Sequence, residues 1–414
     1  MRFVLNSVGS AGDILPFVAL GSELQELGHS VTLAVPPNFR LMAEAGGLNF
    51  APVGPFWDSD WAGQLISNMI KEPDRRKHWQ LFFEGFSFAV PAMFDSLMKV
   101  CEEADALVAS CYSFAAHMCQ ERTNIPFITV RLAPFGEEDH TTGTLAGAVI
   151  NRCRRQLGFA ELPDPFGLNS HSSLLAMYAI SPGLTGFSKS HAPGFFFHKG
   201  WDFHSSPELN EFLAAGEKPM VITFGSMVPE DPAAMVKLLV EAVENSGRRG
   251  LIQRGWKSLG MNSKLLPKSI RMIGHIPHEW LFERASLVVH HGGAGTTAAC
   301  LRAGTPAIIV PWIVDQTGWG NLTMLRGTTV DVIPVHELSS AKLLKAIDRA
   351  FSSHAQHQQH AQELAAIIRS EGGAKAAAET IVQILEAETS VGMHVSGSDH
   401  NSGTIADSAS GVLG

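Results

Sequence analysis

The stretch Leu287-Val288-Val289-His290-His291-Gly292-Gly293-Ala294-Gly295-Thr296-Thr297 decides the fold. Its opening is an apolar, β-branched run of the kind buried on both faces of a parallel sheet. Small residues follow, and a helix is expected from about Thr296. A strand that passes through glycines into a helix is half of a βαβ unit. Small residues before a helix start let backbone N–H groups approach an anion closely, and the helix dipole favours negative charge there. The plainer reading is a tight turn that needs glycine for its backbone angles alone. The cluster is neither a Gly-x-Gly-x-x-Gly after the first strand nor a Walker loop.

Working outward, Ala307 to Val310 reads as a strand ending in Pro311-Trp312, with Asp315-Gln316 in the loop beyond. Ligands of open α/β sheets bind beyond the carboxyl ends of the strands, so this pair and the His291 turn share a rim. A carboxylate beside a carboxamide offers acceptors and donors together, which suits sugar hydroxyls. Upstream, Met220 to Phe224, Gly250 to Gln253 and Arg271 to Ile273 read as strands, and Pro232 to Asn245 as a helix. The same pattern opens the chain: strand Phe3 to Val8, loop Gly9-Ser10-Ala11-Gly12-Asp13, helix Ile14 to Leu27 and strand Val31 to Val35, with Ala106 to Ser110 and Phe127 to Arg131 further on. Two α/β domains are therefore expected, at 1–200 and 219–390, with a linker at 201–218. The Ser/Gly/Thr/Asp-rich residues 391–414 bury too little apolar surface to order themselves.

The 414 residues suit two domains, and 45% hydrophobic residues allow substantial cores. A net charge of −9 with no dense basic patch argues against a nucleic-acid partner. Five cysteines without a Cys-x-x-Cys pair fit reduced thiols in the cytoplasm, and no run of 18 apolar residues spans a membrane. Asp58-Ser59-Asp60 imitates a metal-binding Asp-x-Asp but lies in the first half of the chain, away from the rim of His291 and Asp315, and His354, His357 and His360 read as a solvated helix face, so no metal site is assigned. The segment Phe56 to Met118 is rich in Trp, Phe and Met. Helices packed on the sheet account for it, and so do walls of an apolar cleft, with Phe56, Trp61, Trp79, Phe83 and Phe86 as candidate lining.

Three ordered segments resemble the donor signature of inverting family-one glycosyltransferases, closest to the sterol and vancomycin-type antibiotic branches. They are His275-Ile276-Pro277-His278-Glu279-Trp280-Leu281-Phe282, the His290 to Thr297 turn, and Pro311-Trp312-Ile313-Val314-Asp315-Gln316. The loop Gly9 to Phe17 and the stretch Pro207 to Gly216 leading into Phe224-Gly225-Ser226-Met227 are similar as well. The resemblance implies a GT-B architecture, two Rossmann-like domains facing across a cleft. It implies that His291, with backbone at Gly293, Ala294, Gly295 and Thr296, holds a diphosphate. Asp315 and Gln316 would hold the sugar, His275 and Ile276 the base, and Ser10 and Ser226 would approach from the two domains. The resemblance leaves Ala11 where related loops carry arginine, and Ala299 where plant relatives carry a ribose-binding glutamate.

The implied activity is metal-independent transfer of a hexose, from UDP-glucose, to a small hydrophobic acceptor such as a sterol, flavonoid or polyketide. Peripheral membrane contact is compatible with such an acceptor. Asp13 is the candidate general base, set against a role as a helix cap. The alternatives are a nucleotide-sugar epimerase and an inactive nucleotide-sugar binding protein.

Overall fold

The computed structural model describes residues 1–57, 59–72, 74–134, 140–200, 203–255 and 266–396. Short apolar segments form twelve strands: β1 (Arg2–Asn6), β2 (Ser30–Val35), β3 (Asn49–Pro52), β4 (Ala106–Ser110), β5 (Phe127–Arg131) and β6 (Leu175–Tyr178), then β7 (Met220–Thr223), β8 (Gly250–Gln253), β9 (Ile270–Ile273), β10 (Leu287–His290), β11 (Ala307–Ile309) and β12 (Thr329–Val332). They make two six-stranded sheets, ordered β3-β2-β1-β4-β5-β6 and β12-β11-β10-β7-β8-β9. Every pairing is parallel.

Both sheets thus carry the same doubly wound order, read in opposite directions. In each, the strand order reverses at one place, between β1 and β4 and between β7 and β10, and there a crevice opens at the carboxyl ends. The period-2 alternation of strands fills both faces of each sheet. In the first, Phe3 and Leu5 face one core and Val4 the other, with Leu107 and Ala109. In the second, Met220, Ile222, Leu287 and Val289 face one core, and Val221 and Val288 the other.

Two of the expected boundaries are corrected. Within the expected linker 201–218, the helix Pro207–Ala214, legible in the sequence as a short helical piece, buries Leu209 and Phe212 in the second domain's core, so that domain starts before 219. The helix Gly373–Ser396 was expected partly in the second domain, with a disordered tail from 391. It leaves that domain and lies on the helix Ala11–Glu26 of the first. Ala374, Ala377, Ala378, Ile381 and Leu385, spaced along one helical face, complete the N-terminal core. The remaining tail, 397–414, lies outside the described residues.

Where that helix begins, Glu371 ties the domains together. Its Oε1 accepts from Ser181 Oγ at 2.6 Å and from the Gly183 amide at 3.1 Å. No single described helix is long and apolar enough to cross a membrane. The apolar helices His78–Ser87 and Val90–Cys101 meet at 66° and bury Trp79, Phe83, Phe86, Met93 and Leu97 in the first core.

Because Ile381 on the returning helix is fully buried in the N-terminal core, Ile381→Ala is expected to destabilise the protein by about 3 kcal/mol. Urea unfolding measures this, and a change below about 1 kcal/mol would show that the helix is not part of the N-terminal core.

Candidate functional site

The two reversal points face each other and enclose a cleft of about 550 Å³, lined from both domains. On the N-terminal side, β1 runs into the turn Ser7 to Ser10, and the helix Ala11–Glu26 starts with Ser10 as its cap. Asp13 is therefore the third residue of the helix and not its cap. The Asp13 Oδ2 accepts from the Ser10 amide at 2.7 Å and from Ser10 Oγ at 3.0 Å, while Ser10 Oγ accepts from the Gly12 amide. This is a reciprocal capping box. It occupies Ser10, which sequence reading aimed at the donor. The Asp13 Oδ1 takes no bond from another residue among those described. Gly9, at φ +131°, lies against that carboxylate so closely that any Cβ would collide with Oδ2.

On the C-terminal side, β10 delivers His290 and His291 to the turn. His290 Nδ1 accepts from the Gly292 amide at 3.1 Å, which fixes its tautomer. Gly292 has φ +85°, and a Cβ there would stand 2.8 Å from the Gln316 carbonyl oxygen. The helix begins at Ala294, two residues before the expected start, and its cap position, Gly293, offers no side chain. The amides of Ala294, Gly295 and Thr296 consequently point into the cleft without an intrahelical acceptor. The His291 ring packs on Gly225 and Gly293, and its buried Nδ1 has no partner among the described residues. The two helix starts come nose to nose, since a Cβ on Gly295 would lie 3.5 Å from Gly12 Cα.

The loop after β11 supplies Asp315 and Gln316. Val314 stands at φ +38°, a strained value for a β-branched residue, and this kink turns Asp315 into the cleft. Asp315 Oδ2 accepts from Trp319 Nε1 at 3.0 Å. Gln316 was expected to hold sugar hydroxyls together with Asp315. Its Oε1 is instead turned onto the Trp312 and Ile313 amides at 2.7 and 3.2 Å, which leaves Nε2 against the Met227 sulfur. His275 and Ser226 line the cleft, whereas Ile276 is in the core, where its carbonyl accepts from Gln253 Nε2 at 3.1 Å.

Aromatic rings form the opposite wall. Trp57 stacks on Trp61 at 4.6 Å, Phe86 meets both edge-on, Phe82 follows at 4.7 Å, then Trp79 at 5.7 Å and Tyr112 at 5.0 Å. Two expected lining residues are displaced. Phe56 is 66% exposed and outside the cleft, while Phe83 is buried behind the wall against Phe114 and Phe166. Trp57, Phe82 and Tyr112 take their places. Their selection needs the helix directions, which aromatic composition does not contain.

The N-terminal domain of glycosyltransferase family 28 matches residues 3–137, and the C-terminal domain of the erythromycin biosynthesis protein CIII-like family matches 257–387. Two sterol 3-beta-glucosyltransferases of Arabidopsis thaliana are 31% and 28% identical over 93% and 94% of this chain. The alignments cover 66% and 69% of those proteins and 27% of a sterol 3-beta-glucosyltransferase of Debaryomyces hansenii. The chain belongs to the family-one glycosyltransferases. The fold is correspondingly GT-B. A glycosyltransferase of Streptomyces sp. SF2575, solved with thymidine diphosphate, superposes with TM-score 0.67 at 21% identity over 92% of this chain and 99% of that one. Spinosyn rhamnosyltransferase gives 0.71 at 17% identity over 92% and 100%.

Burial governs the charges of this glycosyltransferase's cleft. It holds His291 down at about 4 and His278, stacked on Phe282, at about 3, so both are neutral donors at pH 7. Burial raises Asp13 to about 6 against the opposing bonds from Ser10. Asp315 is raised to about 7, first by burial and then by the Asp13 charge facing it. His278 was not singled out from the sequence, although it lies within the quoted motif. Asp58 of the Asp-Ser-Asp pattern lies outside the described residues. His354 and His357 form no solvated face, because they bond the carbonyls of Ser286 and Gly327 at 3.1 and 2.8 Å. Among the described residues no three His, Cys, Asp or Glu side chains are grouped to hold a metal ion.

Asp13 and Asp315 hold protons more tightly in the folded chain than in the unfolded one, so each subtracts stability as pH rises from about 4 through its folded value. Asp315→Asn is expected to flatten the loss of stability of the ligand-free protein between pH 4 and 8. Urea titrations across that range check it, and parallel curves for the two proteins would contradict the mutual repulsion.

Proposed function

We propose that this chain transfers glucose from UDP-glucose to the hydroxyl of a flat hydrophobic alcohol of the sterol, flavonoid or polyketide kind, with inversion and without a metal. The observation that carries this reading is the uncapped helix start at Ala294, nose to nose with the helix that bears Asp13, at the end of an aromatic wall. The free amides of Ala294, Gly295 and Thr296 and the positive end of the helix suit a diphosphate. Neutral His291 adds a donor, and that set of groups takes up the negative charge of the leaving diphosphate. Asp315 and Gln316 line the same space, and the Asp315 carboxylate suits the hexose hydroxyls.

Asp13 then receives the acceptor proton. With Oδ2 held by Ser10, Oδ1 is the oxygen left to accept it, and the raised pKa of about 6 makes this carboxylate a stronger base than an exposed one. The new bond joins the acceptor oxygen to the anomeric carbon as the bond to phosphate breaks on the opposite face, which inverts the configuration. The names of the plant and yeast relatives support the sterol class of acceptor. The aromatic wall supports a rigid apolar skeleton, for which an epimerase has no use.

Incubation with UDP-glucose, dTDP-glucose or UDP-GlcNAc and a panel of sterols, flavonoids and polyketide phenols, in EDTA, is read by mass spectrometry. A hexose added from UDP-glucose to at least one acceptor is expected, and a donor isomerised with no acceptor modified would overturn the reading.

Asp13→Asn is expected to lower kcat by about 10²- to 10⁴-fold while UDP still binds, as calorimetry would show. The wild-type kcat/KM should fall as pH drops below about 6, since the base must be ionised. A variant that retains full turnover would remove Asp13 from the chemistry.

A further inference from the structure

The apolar wall carries polar atoms that the mechanism leaves unused, Trp57 Nε1 and the Tyr112 hydroxyl, and the second stands at the reversal point of the first sheet. The Tyr112 hydroxyl is buried, and no group among the described residues bonds to it. Tyr112 lines the cleft just beyond β4, at the reversal point of the first sheet. Because β4 runs in register beside β1, with Ala109 opposite Asn6, the chain leaves both strands side by side. Tyr112 therefore emerges next to the turn that leads to Asp13.

Its position is set from two directions. The Tyr112 amide donates to Ser110 Oγ at 3.3 Å, and the neighbouring Ser113 hydroxyl bonds Asn6 Oδ1 at the end of β1. The ring is clasped by Trp79 at 5.0 Å and by Phe83 and Phe166 at 6.2 and 6.3 Å. A phenol fixed this firmly does not swing out to find water. The carboxylates of Asp13 and Asp315 lie near enough to act on it electrostatically.

We propose that the Tyr112 hydroxyl is an acceptor-positioning group, donating a hydrogen bond to the oxygen of the acceptor hydroxyl that attacks the sugar. The inference rests on the transferase reading above. The attacking oxygen has one proton and two lone pairs. The proton goes to Asp13, one lone pair forms the bond to the anomeric carbon, and the other accepts from Tyr112 as the diphosphate leaves with the electrons of its bond. Burial keeps the phenol protonated, so it serves as a donor throughout. The pairing also selects among apolar ligands, because a skeleton without the hydroxyl leaves the buried phenol unsatisfied.

The test compares wild type with Tyr112→Phe, which keeps the ring, using cholesterol and 5α-cholestane delivered in cyclodextrin. Binding is read by quenching of the tryptophans that line the cleft, and UDP binding reports an intact fold. The variant is expected to bind cholesterol about tenfold more weakly and cholestane unchanged. The KM for cholesterol should rise by a similar factor, with the KM for UDP-glucose unchanged. Equal cholesterol affinity in the two proteins, or equal weakening for both ligands, overturns the proposal while leaving sugar transfer untouched. A wild-type protein that binds neither molecule defeats the proposal together with the acceptor class beneath it.

Discussion

The rest of the site depends on the meeting of two helix starts. Each α-helix leaves several amides unsatisfied at its beginning, and a protein must supply acceptors for them or leave them to a ligand. The N-terminal helix resolves this internally through Ser10 and Asp13. Its counterpart, starting at Ala294, has only Gly293 at its cap and stays open. With Gly12 and Gly295 almost touching, the open end is held at the floor of the cleft, where little water competes for it. A Cβ at either glycine would sit in ordinary van der Waals contact with the opposite helix start, so the two ends approach to within one side-chain layer of each other.

The same economy explains Asp13. A carboxylate that completes a capping box is held rigidly, and one held in a poorly solvated cleft keeps its proton longer than one in water. Cap and base are thus compatible roles for a single side chain, one for each oxygen. The opposing carboxylate of Asp315 raises the cost of charging the empty cleft further. Strain at Val314 and the folded-back Gln316 amide belong with this, because both hold a loop in a conformation it would not choose alone.

Much of this was legible in the chain. The strands Ala106–Ser110, Phe127–Arg131, Gly250–Gln253 and Leu287–His290 and the helix Pro232–Asn245 follow from periodicity and from Pro or Gly at their ends. Strands β3 and β12 were not read, because Asn49–Pro52 and Thr329–Val332 carry polar or proline residues and are ordered by a neighbouring strand rather than by their own apolar runs, while β6 is apolar but only four residues long. The motif residues His291, Gly293 to Thr296 and Asp315 reach the cleft because turns after parallel strands necessarily collect at one rim. The aromatic residues carry no such rule. Phe82 and Phe83 are adjacent in sequence, yet one lines the cleft and the other is buried behind it, a choice made by helix rotation. Ile276 was misplaced for a related reason, since its carbonyl is consumed by Gln253.

The returning helix Gly373–Ser396 gives the molecule an unexpected connectivity. The body that begins at Met1 is finished only by the residues around Leu385, so the second domain is in effect an insertion within the first. Two chain crossings then run side by side, joined where the Gly373 amide donates to the Pro193 carbonyl at 2.9 Å. A double crossing of this kind bends readily about one axis and resists torsion about the others. Chimaeras that exchange donor halves between relatives must therefore be spliced at two points, one near residue 200 and one near residue 372, and a single splice in the middle of the chain would leave the acceptor body without its last helix.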